Sequence, residues 1–551
     1  MSIKSIKITA LSTLFILFSM SCEDLEELNV NPNGVDPEVA DLNLLLPTML
    51  TSMASAEVNY GFGEISGVMQ HTQRDGWSTG YNDYDWDNSS HSWSGLYGIL
   101  RNNKIYMEKA EENEFDFHQA IALTIRAYVF GRITDLWGDA PYSEALKGDE
   151  GADDRKPRFD AQRDIYLGIL TDLESANTLL SKSSGSYETI DPVQDVLFGG
   201  NVQKWRRFVN SLALRYYMRL SEKEPALAKE GVTKIASNPN RYPVILDASN
   251  DAKLIYPGTN SNDAWPTNTV FNTSSSGDYF RTKMCATLVN FMKSLEDPRL
   301  GIWANEVEIP IVIETGWEDD RDEIIDGVRH IAQNIADQYY ELNNYEVDTA
   351  TDYVGLPPSF GNAPAFNLNP DLSQGVYNPH ASQLNDMYQE TGGGLLAARL
   401  ISAAEVNFIL AEAGQRGWIS GAQNHYNAAI EQSFAAWGVS DVVSDYLANV
   451  PYDGTLKTII EQKWVASWSA STEAWFDYRR TGFPELQTGQ IARREVLPLR
   501  FYYHFEDEIS LNGENAEDAI SRLEATSYLG TDSKNSAWSK MWLLQGTEKP
   551  Y

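Results

Sequence analysis

Cysteine and positive charge are both scarce in this sequence of 551 residues. It contains two cysteines, Cys22 and Cys285, and 43 Lys and Arg residues against 78 Asp and Glu residues. Two cysteines cannot build the disulfide framework of a small secreted domain, so packing must supply the stability of the fold. A formal net charge of −35 repels phosphate backbones and anionic lipid head groups. Nucleic acid is therefore a poor candidate partner, and a neutral or weakly charged ligand is favoured.

Motifs for common catalytic and metal-binding chemistry are missing as well. The seven histidines are nowhere paired at metal-ligand spacing, and no HExxH, CxxC, GxSxG or phosphate-binding glycine loop occurs. Glycoside hydrolysis needs only two carboxylates, so a secreted hydrolase stays open as an alternative. The acidic run at 318–323 could hold calcium, but it lacks the alternating ligands and the turn glycine of a calcium loop. We therefore predict no catalytic residue, metal site or cofactor, with calcium left as an alternative.

Long apolar runs are absent except at the N-terminus, where residues 1–21 have the pattern of a secretory signal. A basic start precedes an apolar run from Ile8 to Phe18, which is shorter than the ~20 residues that span a bilayer. The signal ends in Ser-Met-Ser before Cys22, which resembles a bacterial lipobox and predicts lipidation of that cysteine. An ordinary cleaved signal with an unmodified cysteine is the alternative. The acidic segment 23–27 resembles the tag that directs Bacteroidetes lipoproteins to the outer face of the outer membrane.

Helical periodicity dominates much of the remaining chain, because apolar residues recur three or four positions apart. Three such stripes are Ile165, Ile169, Leu173, Ala176 and Leu180; Trp205, Phe208, Val209, Leu212 and Tyr216; and Tyr426, Ala429, Ile430, Phe434 and Trp437. The short segment 416–421 between the helical stretches 399–414 and 422–437 indicates an antiparallel helix pair. The stretch from about 238 to 398 is rich in Asn, Ser, Gly and Pro instead. We predict a mainly α fold, a tetratricopeptide-like scaffold of helical hairpins with a long, irregular, loop-rich ligand-binding half.

One loop combines aromatic and polar residues as a sugar-binding site requires. A pyranose stacks its apolar face on an aromatic ring while amides, carboxylates and Arg bind its hydroxyl groups. The window 74–88 holds four Trp and Tyr residues among 15, against 43 in the whole chain. The candidates in this window are Trp77, Tyr81 and Tyr84 as stacking rings, with Asn82 and Asp83 as hydrogen-bonding partners. The alternative is that these rings plug the loop onto the core.

A second candidate segment surrounds Trp265. This tryptophan follows Asp263 in a polar stretch, and Pro266 disfavours helix at the preceding residue, so we expect the ring to be presented on a loop. Trp303 and Trp317 flank the middle of the chain and are weaker candidates. We predict that Trp77 and Trp265 stack on sugar rings, that Trp303 contributes, and that Asp263 binds a hydroxyl group.

Several longer phrases carry a family resemblance. These are GDAPYSEAL at 138–146, KWRRFVNSLALRYYMRLS at 204–221, AEVNFILAEAGQRGW at 404–418, EAWFDYRRTGFPEL at 473–486 and LPLRFYYHFEDEISLN at 497–512. Together with the lipobox and the acidic tag, they resemble the SusD/RagB family in the right order along nearly the whole mature chain. Seven residues of these phrases are expected to lie in helical segments of the scaffold. We expect Trp205, Arg215, Glu405, Glu412, Trp475, Arg479 and Arg480 to build buried ion pairs and packing.

The resemblance implies a surface lipoprotein that captures a nutrient, usually a glycan. Such a protein closes as a lid over a TonB-dependent outer-membrane transporter of the SusC type and performs no catalysis. The resemblance also implies one domain over residues 22–551. Its helical scaffold would cover about 90–237 and 399–485, its ligand-binding insertion about 238–398, and its closing segment 486–551. A member of the same family that binds peptides or glycopeptides is the main alternative, and a secreted glycoside hydrolase is the second.

Overall fold

The computed structural model describes residues 41–88, 91–148, 150–151, 155–274, 277–504 and 512–551. Cys22, the signal and the acidic tag lie outside these ranges, so their predicted roles stay predictions. Residues 43–551 form one compact unit. In the described part of the chain, no helix combines the length and the apolar character that crossing a bilayer requires.

Helices make up most of the regular structure, which confirms the predicted mainly α fold. In chain order they are α1 Leu42–Gly61, α2 Glu64–Val68, α3 Ser94–Glu112, α4 Asp116–Trp137, α5 Gln162–Leu179, α6 Val202–Arg219, α7 Pro225–Ala236, α8 Asp278–Arg281, α9 Ala286–Ser294, α10 Leu300–Trp303, α11 Gln333–Asn343, α12 Ala403–Gln415, α13 Ala422–Trp437, α14 Val443–Asn449, α15 Leu456–Ala466, α16 Ser471–Thr481 and α17 Gly513–Ser521. Sequence neighbours pack together, most extensively α4 with α5 and α12 with α13. The domain boundaries within 22–551 stay a prediction.

The strands are short, and some of them pair across long sequence distances. They are β1 Thr72–Arg74, β2 Ala140–Pro141, β3 Phe159–Asp160, β4 Ala252–Ile255, β5 Thr282–Met284, β6 Ile311–Glu314, β7 Asp322–Ile325, β8 Val328–Ala332, β9 Ala397–Ile401, β10 Glu524–Ala525 and β11 Ser539–Lys540. Four antiparallel pairs form, β1 with β5, β2 with β3, β4 with β9 and β10 with β11, and a three-stranded sheet has the order β6-β8-β7. The acidic run at 318–323 thus enters β7.

The predicted apolar stripes lie in the core of the helical scaffold. All of the residues named in the three stripes are buried. They lie on α5, α6 and α13, except for Leu180, which directly follows α5. One predicted boundary is wrong, because residues 397–401 form β9 and the helix expected from residue 399 begins at Ala403. The Ser402 side chain caps this helix by accepting a hydrogen bond from the Glu405 amide at 3.1 Å.

A network of buried ion pairs joins the helices of the scaffold. Glu473 on α16 accepts hydrogen bonds from Arg132 on α4 and from Arg219 on α6, each at 2.5 Å, and Arg215 lies 3.3 Å away. Burial alone would raise the pKa of Glu473, but the charges of Arg215, Arg219 and Arg132 lower it well below its usual range. One carboxylate therefore holds three arginines from two other helices.

The scaffold residues expected from the family phrases are all buried. Arg215 donates to Glu405 at 2.6 Å, and Arg480 donates to Glu412 at 2.7 Å, so both expected ion pairs form. Arg479 behaves differently: its guanidinium lies 4.1 Å from the centre of the Trp475 ring and donates to the Leu499 carbonyl at 2.7 Å. These phrases specify how the helices pack.

Candidate functional site

Trp77 is the most exposed tryptophan in the part of the chain that the structure describes. Its side chain is 54% exposed, and it lies in the loop after β1. Its backbone has a φ of +47°, a left-handed conformation that costs residues other than glycine roughly 1–2 kcal/mol. Strain of this kind persists only where the surroundings hold it, and it clusters at ligand sites. An exposed aromatic ring on a strained backbone therefore marks this loop as the candidate site.

The pairing of β1 with β5 brings a second loop to Trp77. Arg74 lies opposite Thr282 in this pairing, so Arg281 comes within reach of Trp77 although the two are far apart in sequence. The Arg281 guanidinium lies 5.1 Å from the centre of the Trp77 ring, within the range of a cation–π contact. Asp278 accepts a hydrogen bond from Arg281 Nε at 2.7 Å and so holds the guanidinium in place.

A third loop closes against the backbone beside Trp77. Gln374 Oε1 accepts from the Trp77 amide at 3.4 Å. Gly76 approaches this loop so closely that a Cβ atom on it would lie 2.7 Å from Gln374 Cβ, so glycine is required there. The sequence pattern offered no signal for Arg281 or Gln374, because each is brought to Trp77 by contacts between distant segments.

Lys283 is the buried centre on which these loops converge. Its Nζ lies 3.2 Å from the Asp75 carboxylate and 3.2 Å from the Val376 carbonyl, and it donates to Gln383 Oε1 at 2.9 Å. Burial lowers the pKa of Lys283 and raises the pKa of Asp75, and the attraction between the two charges opposes both effects. One buried ion pair therefore fixes the loop of Trp77 relative to the loop of Val376.

The other residues of the aromatic window do not form a sugar-binding surface in this structure. Tyr81, Asn82 and Tyr84 are buried, which corrects the expectation that the two tyrosines extend a platform. The Tyr81 hydroxyl lies 2.5 Å from Thr72 Oγ1. The Asn82 side chain bonds the Arg74 backbone twice: its Nδ2 donates to the Arg74 carbonyl at 2.6 Å, and its Oδ1 accepts from the Arg74 amide at 2.9 Å. Polar neighbours suggested exposure, but these groups satisfy one another inside the loop. The alternative, that these rings plug the loop onto the core, describes them better.

Trp265 is also buried, at 1% exposure, which corrects its expected role as an exposed stacking ring. Its ring centre lies 5.4 Å from Phe62, 5.2 Å from Tyr256 and 6.1 Å from Tyr388. Pro266 does keep the residue out of a helix, and the Trp265 amide donates to the Thr391 carbonyl at 2.7 Å. The segment is a loop, but its tryptophan points into an aromatic cluster to which the distant residues Phe62 and Tyr388 contribute.

Trp303 is fully buried, so its expected place at the ligand is corrected as well. Its ring stacks on Trp468 at 5.1 Å, with an angle of 11° between the planes, and the Trp437 ring lies 5.4 Å away. Trp317, the weaker candidate, is half-buried and has the Arg321 guanidinium 4.0 Å from its ring centre. None of these contacts brings Trp303 or Trp317 to Trp77.

The two candidate carboxylates serve their own loops. Asp83 accepts hydrogen bonds from the amides of Gly80 and Asp85, at 2.7 and 3.0 Å, and its pKa is raised by burial. Asp263 accepts from the amide and the side chain of Asn260, at 2.9 and 2.8 Å, and its pKa is lowered by its hydrogen bond with Thr259. Both stabilise turns of their own loops, and none of these hydrogen bonds connects either carboxylate to Trp77.

Among the described residues, no group of three or more His, Cys, Asp and Glu side chains could hold a metal ion. In the acidic run, Asp322 accepts from Arg329 at 2.7 Å and Glu323 accepts from Arg321 at 3.1 Å. The two carboxylates of this run on β7 are therefore engaged by arginines.

The fold and the site together define a ligand-binding protein, a scaffold of helical hairpins that presents an exposed aromatic ring on converging loops. A SusD-like family model, described as starch-binding and associating with the outer membrane, matches residues 33–320 and 321–504. The chain therefore belongs to the SusD-like family, and the resemblance seen in its phrases is confirmed. This membership supports a glycan-binding protein of nutrient uptake that associates with the outer membrane.

Solved structures show the same fold. A chitin-binding protein has a TM-score of 0.69 at 20% identity, with 91% of this chain and 98% of that chain covered. A SusD homologue from Bacteroides fragilis has a TM-score of 0.67 at 24% identity, covering 92% and 99%. A chitin-binding SusD homologue from Flavobacterium johnsoniae has a TM-score of 0.65 at 20% identity, covering 91% and 99%. No curated protein matches the sequence.

Proposed function

We propose that this protein captures a neutral oligosaccharide or polysaccharide at the cell surface and delivers it to a SusC-like TonB-dependent transporter, without catalysis. The exposed ring of Trp77 carries the proposal. A strained backbone and the Arg281–Asp278 pair hold that ring at the surface, where an unused tryptophan would expose apolar area to water at a cost. The starch-binding description of the family and the chitin-binding names of two structural neighbours support a glycan as the ligand.

The role of Trp77 is tested by replacing it with alanine and measuring glycan affinity and thermal unfolding on the same protein. Truncation of a central binding residue commonly costs about 2 kcal/mol, roughly thirtyfold in affinity. We expect Trp77→Ala to lose that affinity with an unchanged melting temperature. Trp418→Ala is the matched control, because Trp418 is half-buried on the scaffold between α12 and α13. Retention of peptides alone, or turnover of a retained glycan, would overturn the proposal.

The delivery step predicts a stable complex with a large outer-membrane transporter, joined over a broad face of the helical scaffold. Detergent extraction of native membranes followed by pull-down tests this step. Recovery of the monomer alone, with glycan uptake unaffected by deletion of the gene, would contradict it.

Anchoring through a lipid on Cys22 belongs to the same proposal, as does function without a metal or other cofactor. Cys22→Ala should release the mature protein from the outer-membrane fraction. Glycan affinity should be the same with and without a calcium chelator. A variant that still fractionates with the outer membrane would contradict the anchor, and a chelator-sensitive affinity would indicate calcium.

A further inference from the structure

The loop that presents Trp77 is bound on its far side by an arginine that has no part in the site described so far. The Arg493 amide donates to the Asp83 carbonyl at 2.8 Å, and the Arg493 guanidinium donates to the Asp85 carboxylate. These two residues flank Tyr84, whose backbone has a φ of +56°. A residue other than glycine is strained in this conformation, and the strain persists only where the surroundings hold it. Arg493 therefore holds a second strained residue of the Trp77 loop.

Asp83 connects Arg493 to the turn that follows Trp77. The Asp83 carboxylate accepts from the Gly80 amide at 2.7 Å. Within the same turn, the Ser78 carbonyl accepts from the Tyr81 amide at 3.0 Å. Because Trp77 directly precedes this turn, a displacement of Asp83 would also displace the residue that carries the exposed ring.

The C-terminal segment holds Arg493 in turn. The Arg493 guanidinium donates to the Asp532 carboxylate at 2.6 Å. The same segment binds the end of the aromatic window, where Asp87 accepts from the Ser536 hydroxyl and the Ala537 amide, each at 2.6 Å. These three C-terminal residues lie beyond residue 504, at which the match to the family model ends. Family membership therefore assigns them no role at the site.

We propose that Arg493 is a positioning residue of the glycan site, which holds Trp77 in place through its loop and couples that loop to the C-terminal segment. The inference rests on the proposed function, because it concerns how the same ring is presented. On the other side of the ring, Lys283 Nζ lies 3.2 Å from the Asp75 carboxylate, so Trp77 stands between two anchored points. A loop that is already held does not have to be ordered when the glycan binds, and such ordering would lower the affinity.

The glycan affinity of Arg493→Ala tests this role, with maltoheptaose and chitohexaose as the probes in calorimetry on the mature protein. We expect Arg493→Ala to bind about tenfold more weakly than wild type, because its loop must be ordered on binding. Arg493→Lys should recover part of the affinity, since lysine keeps the charge but lacks the fork that binds two carboxylates. Without glycan, the amides of residues 76–86 should exchange their hydrogens faster in Arg493→Ala than in wild type.

Arg494→Ala is the matched control. The side chains of Arg493 and Arg494 are 21% and 23% exposed, and both donate to Asp532, at 2.6 and 2.7 Å. Arg494 also donates to the carbonyls of Arg493, Tyr528 and Leu529, at 3.1, 2.9 and 3.2 Å. We therefore expect Arg494→Ala to keep the wild-type affinity and the wild-type exchange of residues 76–86, with a melting temperature similar to that of Arg493→Ala.

A double variant separates positioning from a general structural role. Because Arg493 acts through Trp77, the variant with both Trp77→Ala and Arg493→Ala should bind no more weakly than Trp77→Ala alone. Additive losses would overturn the proposal, and so would faster exchange throughout the molecule in Arg493→Ala.

The same measurements distinguish this inference from the proposed function. If Trp77→Ala weakens binding while Arg493→Ala matches Arg494→Ala in affinity, the positioning role alone is overturned. If wild type binds neither probe, the proposed function fails, and the role of Arg493 at the glycan site fails with it.

Discussion

The helical scaffold and the loops around Trp77 use the same residue types in opposite environments. In the scaffold, Glu473 binds three arginines, and the side chains of Glu473 and Arg132 are each 4% exposed. At the surface, Arg281 binds Asp278 with side chains 21% and 31% exposed, and it supports one tryptophan ring. A buried charge without its partner costs far more than a half-exposed one. The scaffold pairs should therefore control stability, and the surface pair should control the shape of the site.

Removing the central carboxylate of the scaffold should give the largest effect. We expect Glu473→Gln to lower the free energy of unfolding by about 3–5 kcal/mol, because Arg132, Arg215 and Arg219 would lose the one buried carboxylate that all three of them contact. Urea denaturation of the mature protein measures the loss.

The matched control for this substitution is Glu485→Gln. Glu485 accepts from Lys457 at 2.8 Å, and its side chain is 64% exposed. An exposed pair contributes about 0–1 kcal/mol. Similar losses for the two variants would show that the buried network does not carry the stability assigned to it.

Trp265→Ala sharpens the comparison inside the loop regions. Because Trp265 packs among Phe62, Tyr256 and Tyr388, we expect its truncation to cost about 3–5 kcal/mol of stability. Differential scanning calorimetry should show a large fall in melting temperature, in contrast with Trp77→Ala. If Trp265→Ala keeps its melting temperature and loses glycan affinity, the ring belongs to the binding site after all.

Trp265 and Trp77 also show how much of the candidate site can be predicted from the sequence. Both lie in polar loops broken by glycine or proline, and local pattern does not distinguish them. Helical periodicity identified the buried stripes because a helix brings positions three and four apart to one face. Two of the three rings that pack on Trp265, those of Phe62 and Tyr388, lie about 120 to 200 positions away, and strand pairing brings Arg281 to Trp77. Long-range contacts of this kind are not encoded in a local window.

His71 joins the two regions and makes their connection sensitive to pH. Its Nδ1 lies 2.7 Å from Ser471 Oγ on α16, and its carbonyl accepts from the Cys285 amide at 3.0 Å. Burial lowers the pKa of His71 from 6.5 to about 3, although a backbone hydrogen bond at Trp464 opposes the shift. The unfolded chain therefore binds one more proton than the folded chain between these pH values.

The sign follows from proton linkage. The stability contributed by neutral His71 is fully present above pH 6.5 and is lost as pH falls from 6.5 towards about 3. The loss approaches about 1.4 kcal/mol per pH unit for one extra proton. We expect the free energy of unfolding of His71→Gln to fall less steeply than that of wild type across this range. Equal slopes in wild type and His71→Gln would contradict the assignment.

The smallest effect concerns the backbone of Trp77 itself, separately from its ring. At a φ of +47°, alanine keeps the left-handed strain and glycine does not. Glycine also gains freedom in the unfolded chain, which offsets part of the difference. We therefore expect Trp77→Gly to be more stable than Trp77→Ala by roughly 0.5–1 kcal/mol, while both lose the same glycan affinity.

Val270 supplies the reverse comparison, because it is exposed and its φ is not positive. There the glycine variant should be less stable than the alanine variant, since only the unfolded-state term remains. Chemical denaturation of the four variants measures both differences. If glycine at position 77 is no more stable than alanine, the backbone is not strained at that position. The exposed ring would then owe its orientation to Arg281 and Gln374 alone, and Arg281→Ala should cost as much glycan affinity as Trp77→Ala.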